Sequence, residues 1–202
     1  MISSQSRMGG RFTAKLSFTA RRLLSNQTNK MAKDQQVAPP VVTLYQYHIC
    51  PFCNINKALL SYTETPYNIV EVNPLTKAEI KFSTDYKKVP IMDMDSELVN
   101  GSKEINQALL RHPYLVQKLE HDDGVESFAH TDTAQKWNNF ATDELAPVLY
   151  PNICRSLSES YEAFGYVNNV KEFSMMQKGL IRGVGSFAMY IAASKIKCEY
   201  TV

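Results

Sequence analysis

The sequence has few cysteines and no second C-x-x-C pair. Four cysteines occur in 202 residues, at Cys50, Cys53, Cys154 and Cys198. A structural zinc site usually takes its ligands from two such pairs, so the spacing argues against bound metal. A framework of structural disulfides is disfavoured as well, because the chain lacks a secretory signal and cysteine is sparse. The pair Cys50 and Cys53 therefore calls for another explanation.

Acidic residues are missing from the start of the chain. Seven of the 22 Lys and Arg residues precede residue 38, with a single acid, Asp34, among them. The apolar stretches there are too short for a secretory signal or a membrane span, and the basic, Ser-rich composition is typical of a transit peptide. We expect residues 1–36 to be such a leader and the protein to be mitochondrial. The alternatives are a basic segment without a targeting role and a cytoplasmic product that starts at Met31.

Nucleic acid is not expected to be a partner. The positive charge of the leader gives way to a mildly acidic body after residue 37. The basic residues are thus absent from the part that would fold into a binding surface.

The segment after the leader has the pattern of an α/β domain. A linker at residues 37–40 ("VAPP") precedes the β-branched and aromatic stretch 41–47, which predicts a buried strand. A helix is predicted from Pro51, a second strand over 66–72, and a short helix with Thr76 and Glu79 at capping-box spacing. A hairpin of two strands and a helix over about 103–111 follow. The order of elements is βαβ, α, ββα, over residues 41–112.

The motif "CPFC" lies where the first strand passes into the first helix. A C-x-x-C pair at this turn of a βαβ unit is the thioredoxin-like redox signature. The helix N-terminus stabilises a thiolate, so Cys50 is predicted as the nucleophile and Cys53, one turn further in, as the resolving thiol. Two unrelated core cysteines remain the alternative interpretation.

Three stretches give the sequence a resemblance to a known family. They are "TLYQYHICPFCNINKALL", "PYNIVEVNPLTKAEIKFSTDYKKVPI" and "YPNICRSLSESYEAFGYV". The chain resembles the membrane-associated prostaglandin E synthase type 2 family, within the glutaredoxin-like branch of the glutathione transferase superfamily. The resemblance implies a thioredoxin/glutaredoxin-like N-terminal domain followed by a glutathione-transferase-like helical domain.

The resemblance also implies roles for particular residues. Pro90 matches a cis-proline that faces the active cysteine, and the backbone of Val89 would pair with glutathione. Ser102 matches the residue that receives the γ-glutamyl carboxylate, and Tyr47 matches an active-site tyrosine, or is simply a packed strand aromatic. The family has an Asp-Ser-Ser type turn where this chain reads "NGSK". The acid for the amino group of glutathione is therefore expected to be absent, and glutathione binding to be weak.

The second half of the sequence predicts an all-helical domain. An acidic connection is expected over 113–130 and the helical domain over 131–202. Two apolar stripes at helical spacing predict core-facing surfaces: Trp137, Phe140, Leu145 and Leu149 form the first, and Leu180, Val184, Phe187 and Ile191 form the second. Lys178 and Arg182 argue against a membrane span in this region. The resemblance implies further helices beyond Val202, so the helical domain is expected to be truncated, or to be covered by a partner.

The predicted function follows from the family resemblance and the cysteine pair. We expect an isomerase that converts prostaglandin H2 to prostaglandin E2 through Cys50, with Tyr47 orienting oxygen and a lipid bound in an apolar groove. A glutathione-dependent thiol–disulfide oxidoreductase and a non-catalytic glutathione- or haem-binding module remain alternatives. The resemblance implies glutathione and haem as cofactors, and it leaves peripheral membrane association and a homodimer open.

Overall fold

The first half of the chain folds around a four-stranded mixed sheet. The computed structural model describes residues 37–120 and 131–200, so the predicted leader lies outside the described residues. The elements of this half are β1 (Val42–Gln46), α1 (Pro51–Tyr62), β2 (Asn68–Glu71), a single 3-10 turn (Ala78–Ile80), β3 (Ile91–Met94), β4 (Glu97–Asn100), α2 (Ser102–Arg111) and α3 (Pro113–Glu120).

The strand order in the sheet is β2-β1-β3-β4. Strand β1 pairs in parallel with β2 through the βαβ crossover, and antiparallel with β3, which forms a hairpin with β4. The predicted thioredoxin-like arrangement is confirmed. It places the end of β1, and hence the C-x-x-C motif, at the centre of the sheet.

Helix α1 begins where the sequence predicts, with Pro51 in the first turn. Proline suits this position because its missing N–H would have no partner inside the helix. The buried face carries Cys53, Asn56 and Leu60. Leu59 is partly buried against the core, whereas Tyr62 at the end of the helix is largely exposed.

The capping box predicted from Thr76 and Glu79 does not form. Glu79 instead accepts a hydrogen bond from the backbone N–H of Asn73 at 2.8 Å. The Asn73 side chain accepts the N–H groups of Leu75 and Thr76. Because Asn73 satisfies these donors, the predicted short helix shrinks to one 3-10 turn, Ala78–Ile80, with Lys77 at its N-cap.

The second half is helical, as predicted. Its elements are α4 (Asp132–Asn139), a π-helical segment (Phe140–Leu145) that continues into α5 (Ala146–Ile153), α6 (Leu157–Ala163), a 3-10 segment (Phe164–Asn169), α7 (Met175–Leu180) and a π-helical segment (Ile181–Gly185) that continues into α8 (Ser186–Tyr200). Residues from Ala38 onward form one compact unit, so the sheet half and the helical half share an interface.

The predicted connection over 113–130 begins with a helix. Leu115 of α3 is fully buried and packs in the same cluster as Leu44 of β1 and Leu109 of α2. The acidic residues that suggested a solvated connection lie mainly within 121–130, outside the described residues.

Both apolar stripes predicted to face the core are exposed, so this prediction is wrong. Trp137 of α4 is 59% exposed, and Phe187 of α8 is 54% exposed. The core of this half consists instead of Phe164, Val167, Phe173 and Ile181. Spacing identified the apolar faces. It could not show that, within the described part of the chain, no element packs against them. None of the described helices combines the length and the apolar character that a membrane crossing requires.

Candidate thiol site

Cys50 occupies the N-cap position of α1, as the sequence predicts. Its backbone is extended, and its N–H donates to the carbonyl of Tyr47 at 3.0 Å, which closes the turn between β1 and the helix. No side chain caps this helix end. The free N–H groups of the first turn and the positive end of the helix dipole therefore face the Cys50 sulfur.

The pKa values of the two cysteines are shifted in opposite directions. A hydrogen bond from Cys53 lowers the pKa of Cys50 to about 6, with help from the Tyr150 hydroxyl and the N–H groups of Phe52 and Cys53, while burial opposes the shift. Burial first, and then the hydrogen bond to Cys50, raises the pKa of Cys53. At neutral pH Cys50 is a thiolate and Cys53 a thiol, which suits a nucleophile and a resolving group.

Tyr150 is a site residue that the sequence did not reveal. Its hydroxyl lies 3.4 Å from Sγ of Cys50, although the two residues are a hundred positions apart in the chain. Its ring packs against Phe52, with 6.2 Å between ring centroids. Burial, and then the negative charge of Cys50, raises the pKa of Tyr150, so the phenol keeps its proton and donates it to the thiolate.

Tyr47, the tyrosine predicted for the site, packs in the same buried cluster as both cysteines. Burial, followed by the charge of Cys50, raises the pKa of Tyr47 to about 12. The hydroxyl that bonds to Cys50 belongs to Tyr150 and not to Tyr47. Tyr47 is thus a neutral hydroxyl close to the thiolate, and its predicted role in orienting oxygen stays a prediction.

A partly buried carboxylate supports the turn that carries Cys50. Glu71, at the end of β2, accepts the backbone N–H of His48 at 2.6 Å and the side-chain amide of Gln46 at 3.1 Å. Burial raises the pKa of Glu71 above its usual range. His48 in turn stacks on Tyr166, with 5.8 Å between ring centroids. These contacts fix the chain two residues before the thiol.

The Val89–Pro90 peptide bond is cis, as the resemblance implies for Pro90. Val89 is buried in the cluster that contains Cys50 and Cys53. The carbonyl of Pro90 accepts the N–H of Gly101 at 3.0 Å, which connects this segment to the start of α2. The structure therefore brings the predicted Val89 backbone beside the thiols.

Ser102, predicted to receive a carboxylate of glutathione, is the first residue of α2. Its carbonyl accepts the side-chain amide of Asn56 at 2.8 Å, and the same amide group donates to Asn106 at 2.8 Å. Asn106 then donates to Asn138 of α4. A buried amide network thus sets the position of Ser102 relative to α1. Sequence reasoning overlooked Asn56, although a polar residue on the buried face of α1 indicates a buried hydrogen-bond partner.

The turn itself carries no acid, as expected, but a carboxylate from α2 lies beside Gly101. Gly101 has φ of +92°, and a β-carbon added there would lie 2.5 Å from Oε2 of Glu104. The Glu104 carboxylate therefore occupies the space of the side chain that Gly101 lacks. The neighbouring Lys103 forms an ion pair with Asp143 at 3.6 Å.

Cys50 opens onto a pocket of about 420 Å³ that lies between the two halves, and Cys53 does not line it. The walls are mostly apolar and aromatic. The lining residues are Tyr47, Ile49, Cys50, Pro74, Leu75, Lys77, Tyr150, Phe164, Tyr166, Gly185, Ala188, Met189 and Ile196. A concave apolar site of this size, with a few convergent polar groups, is typical of a small-molecule site.

Residues 44–115 match the family model described as "Glutathione S-transferase, N-terminal domain". The chain is similar to prostaglandin E synthase 2 from Danio rerio, with 29% identity over 80% of this chain and 52% of that protein. It is also similar to prostaglandin E synthase 2 from Mus musculus, with 31% identity over 79% of this chain and 51% of that protein. The chain thus spans about half the length of the curated relatives it matches.

Among solved structures, a rice GST1 in complex with glutathione aligns with a TM-score of 0.44 and 13% identity, over 78% of this chain and 79% of that chain. A likeness at this level carries no functional inference.

Proposed function

We propose that this chain, a prostaglandin E synthase 2-like protein of the glutathione transferase superfamily, is a thiol-dependent isomerase that converts prostaglandin H2 to prostaglandin E2. One observation carries the proposal. The Cys50 thiol, whose pKa is lowered to about 6, faces an apolar pocket while its hydrogen-bond partner Tyr150 lines the same pocket.

The reaction requires a nucleophile and a proton donor on the same side of the substrate. The Cys50 thiolate attacks one oxygen of the strained peroxide, an S–O bond forms, and the O–O bond breaks. The second oxygen leaves as an alkoxide and takes the proton of the Tyr150 hydroxyl. This proton becomes that of the product hydroxyl.

The second step returns the site to its starting state. The Tyr150 phenolate removes the proton from the carbon that bears the sulfur-bound oxygen, because its raised pKa makes it a strong base. The C=O bond forms, the S–O bond breaks, and its electron pair returns to Cys50 as thiolate. No electrons are gained or lost overall, so the isomerisation needs no external oxidant or reductant.

The test is the conversion of prostaglandin H2 by the purified protein and by Cys50→Ser. We expect prostaglandin E2 from the wild type and only the spontaneous background from the variant. Equal turnover by both proteins would show that the thiol is not the active group. A Cys154→Ser variant is the matched control, because Cys154 is buried but does not line the pocket.

A second candidate function, glutathione-dependent thiol–disulfide exchange, is favoured by the contact between the two cysteines. Cys53 hydrogen-bonds to Cys50 and has a raised pKa. This is expected for a resolving thiol, which stays protonated until a mixed disulfide has formed on the nucleophile. Exchange through a dithiol requires both sulfurs, whereas the isomerisation requires only Cys50. Reduction of a disulfide-bonded peptide by the wild type and by Cys53→Ser separates the two functions, because this reaction needs the second thiol.

Glutathione binding is part of both candidate functions. We propose that Val89 and Ser102 hold the tripeptide as the resemblance implies, and that Glu104 receives its ammonium group. Among the described residues, none forms a hydrogen bond or ion pair with the Glu104 carboxylate. Its Oε2 occupies the side-chain space of Gly101, the position where the family carries an acid.

Haem stays outside the proposed reaction. The described residues contain no group of three or more His, Cys, Asp or Glu side chains arranged to hold a metal ion. Within the pocket, Cys50 would be the residue to hold a haem iron through its thiolate. Ligation would take the sulfur that the isomerisation requires.

A further inference from the structure

The pocket that Cys50 faces has one ionisable cation in its wall. Among the described residues that line it, Lys77 is the only lysine or arginine, and no Asp or Glu lines the pocket. Apart from the Cys50 thiolate, the remaining walls are apolar or aromatic, or carry neutral hydroxyl groups. A cation in otherwise apolar surroundings favours a ligand that is itself apolar and carries one negative charge.

Lys77 is held at the pocket by an uncommon backbone conformation. It has φ of +50°, in the left-handed region, and precedes the 3-10 turn Ala78–Ile80. Its N–H donates to the carbonyl of Asn73 at 2.8 Å. Glycine or asparagine adopts this conformation at less cost than lysine. The interactions of the Lys77 side chain must therefore explain why a lysine occupies this position.

One explanation is structural, but it accounts for only one of the three hydrogen-bond donors of the Lys77 ammonium. The Lys77 ammonium donates to the carbonyl of Lys87 at 2.7 Å and so ties the turn to the loop before Pro90. An ammonium has three donors, so this bond leaves two. The described residues provide no ion pair for Lys77, and the nearby Glu79 carboxylate already accepts the N–H of Asn73.

Lys87 shows what a purely structural lysine in this loop looks like. Its ammonium donates to the carbonyl of Ser83 at 2.5 Å, again within the loop. Lys87 does not line the pocket. The two lysines thus make the same kind of loop contact, and only Lys77 also adds positive charge to the pocket.

We propose that Lys77 receives the carboxylate of a long-chain, fatty-acid-like substrate whose apolar chain fills the pocket beside Cys50. Lys77 then determines specificity for the free acid over a neutral ester or alcohol of the same chain. The inference rests on the proposed function only in taking the pocket as the lipid site, and it does not depend on the reaction that occurs there.

The experiment measures binding and needs no turnover. Oleic acid and oleyl alcohol, below their aggregation concentrations, are titrated into the wild type, Lys77→Met, Lys77→Arg and Lys87→Met, with displacement of a fluorescent fatty-acid probe as the readout. We expect Lys77→Met to weaken oleate binding about tenfold, the effect of one charge-assisted contact, and to leave oleyl alcohol within about twofold. Lys77→Arg should keep most of the affinity, and Lys87→Met should bind both ligands like the wild type.

Three results would overturn the inference. They are equal losses in Lys77→Met and Lys87→Met, an equal loss of acid and alcohol binding in Lys77→Met, and wild-type protein that binds oleate no better than oleyl alcohol. The last comparison decides the matter even if Lys77→Met does not fold. Oleate binding is measured without any turnover, so a failure of the proposed isomerisation is distinguishable from a failure of this inference.

Discussion

Replacing Tyr150 by Phe removes the hydroxyl 3.4 Å from the Cys50 sulfur and leaves the ring that packs on Phe52. A hydrogen bond to a charged group contributes about 1.5 to 3 kcal/mol, and one pKa unit corresponds to about 1.4 kcal/mol. The contact is long, and the larger contribution to the low pKa of Cys50 comes from Cys53. We therefore expect the lower end of this range, a rise of about one pKa unit from the wild-type value.

The assay is the rate of Cys50 alkylation by iodoacetamide as a function of pH, with the labelled peptide identified by mass spectrometry. Only the thiolate reacts, so the rate increases as pH rises through the pKa of Cys50. In the wild type the midpoint should lie at about pH 6. In Tyr150→Phe it should lie about one unit higher, which makes labelling at pH 6 about fivefold slower.

The matched control is Tyr47→Phe. Tyr47 packs in the same cluster as Cys50, but its hydroxyl is not the one that bonds to the sulfur. Its midpoint should stay close to that of the wild type. An unchanged midpoint in Tyr150→Phe, or an equal shift in both variants, would refute the assignment of Tyr150 as the phenol that stabilises the thiolate.

Four further predictions concern the thiol pair, glutathione, the turn at Gly101 and the leader. At pH 6.5 an alkylating agent should label Cys50 well before Cys53, because burial raises the pKa of Cys53; equal labelling on peptide mapping would contradict the assignment. Glu104→Gln should weaken glutathione binding about tenfold in calorimetry, since it removes one charge-assisted contact, and an unchanged affinity would count against Glu104. Gly101→Asp should lower the unfolding midpoint in denaturant, because its β-carbon would meet Glu104 and a positive φ disfavours aspartate; a fully stable variant would show that the segment relaxes. Mass spectrometry of the mature protein should find a start near Ser25, and an intact Met1 on organellar protein would count against cleavage.

The sheet half was predictable because local and tertiary preferences agree there. The β-branched stretch of β1, the proline after Cys50 and the C-x-x-C spacing each indicate the same strand-to-helix turn, and the structure places Cys50 at the helix N-cap. The nucleophile could be assigned from this turn alone. Its pKa depends mainly on groups within the motif itself, which explains why a short sequence window was enough.

The site residues supplied by distant elements could not be predicted. Tyr150 lies on α5, and its contact with Cys50 arises only when the helical half packs on α1. Glu104 was overlooked because an acid was sought at Gly101 itself. Its carboxylate reaches that space from one turn along α2, since Gly101 has no side chain to exclude it.

The apolar stripes of the helical half show the limit of periodicity. Spacing correctly indicates which residues share a helix face, but burial requires an element that packs against that face. Phe187 shares an apolar face with Ile191, and both are exposed in the described part of the chain. The core of that half is assembled instead around Phe164, in a 3-10 segment with no helical repeat to reveal it.

The most direct test of the central claim is the yield of prostaglandin E2 from prostaglandin H2 with Cys50→Ser and Cys53→Ser, each with and without glutathione. If the Cys50 thiolate acts alone, Cys53→Ser should retain most of the wild-type yield and Cys50→Ser should fall to the spontaneous background. Loss of the activity in Cys53→Ser as well as in Cys50→Ser would show that the chemistry requires the dithiol and would contradict the isomerase account.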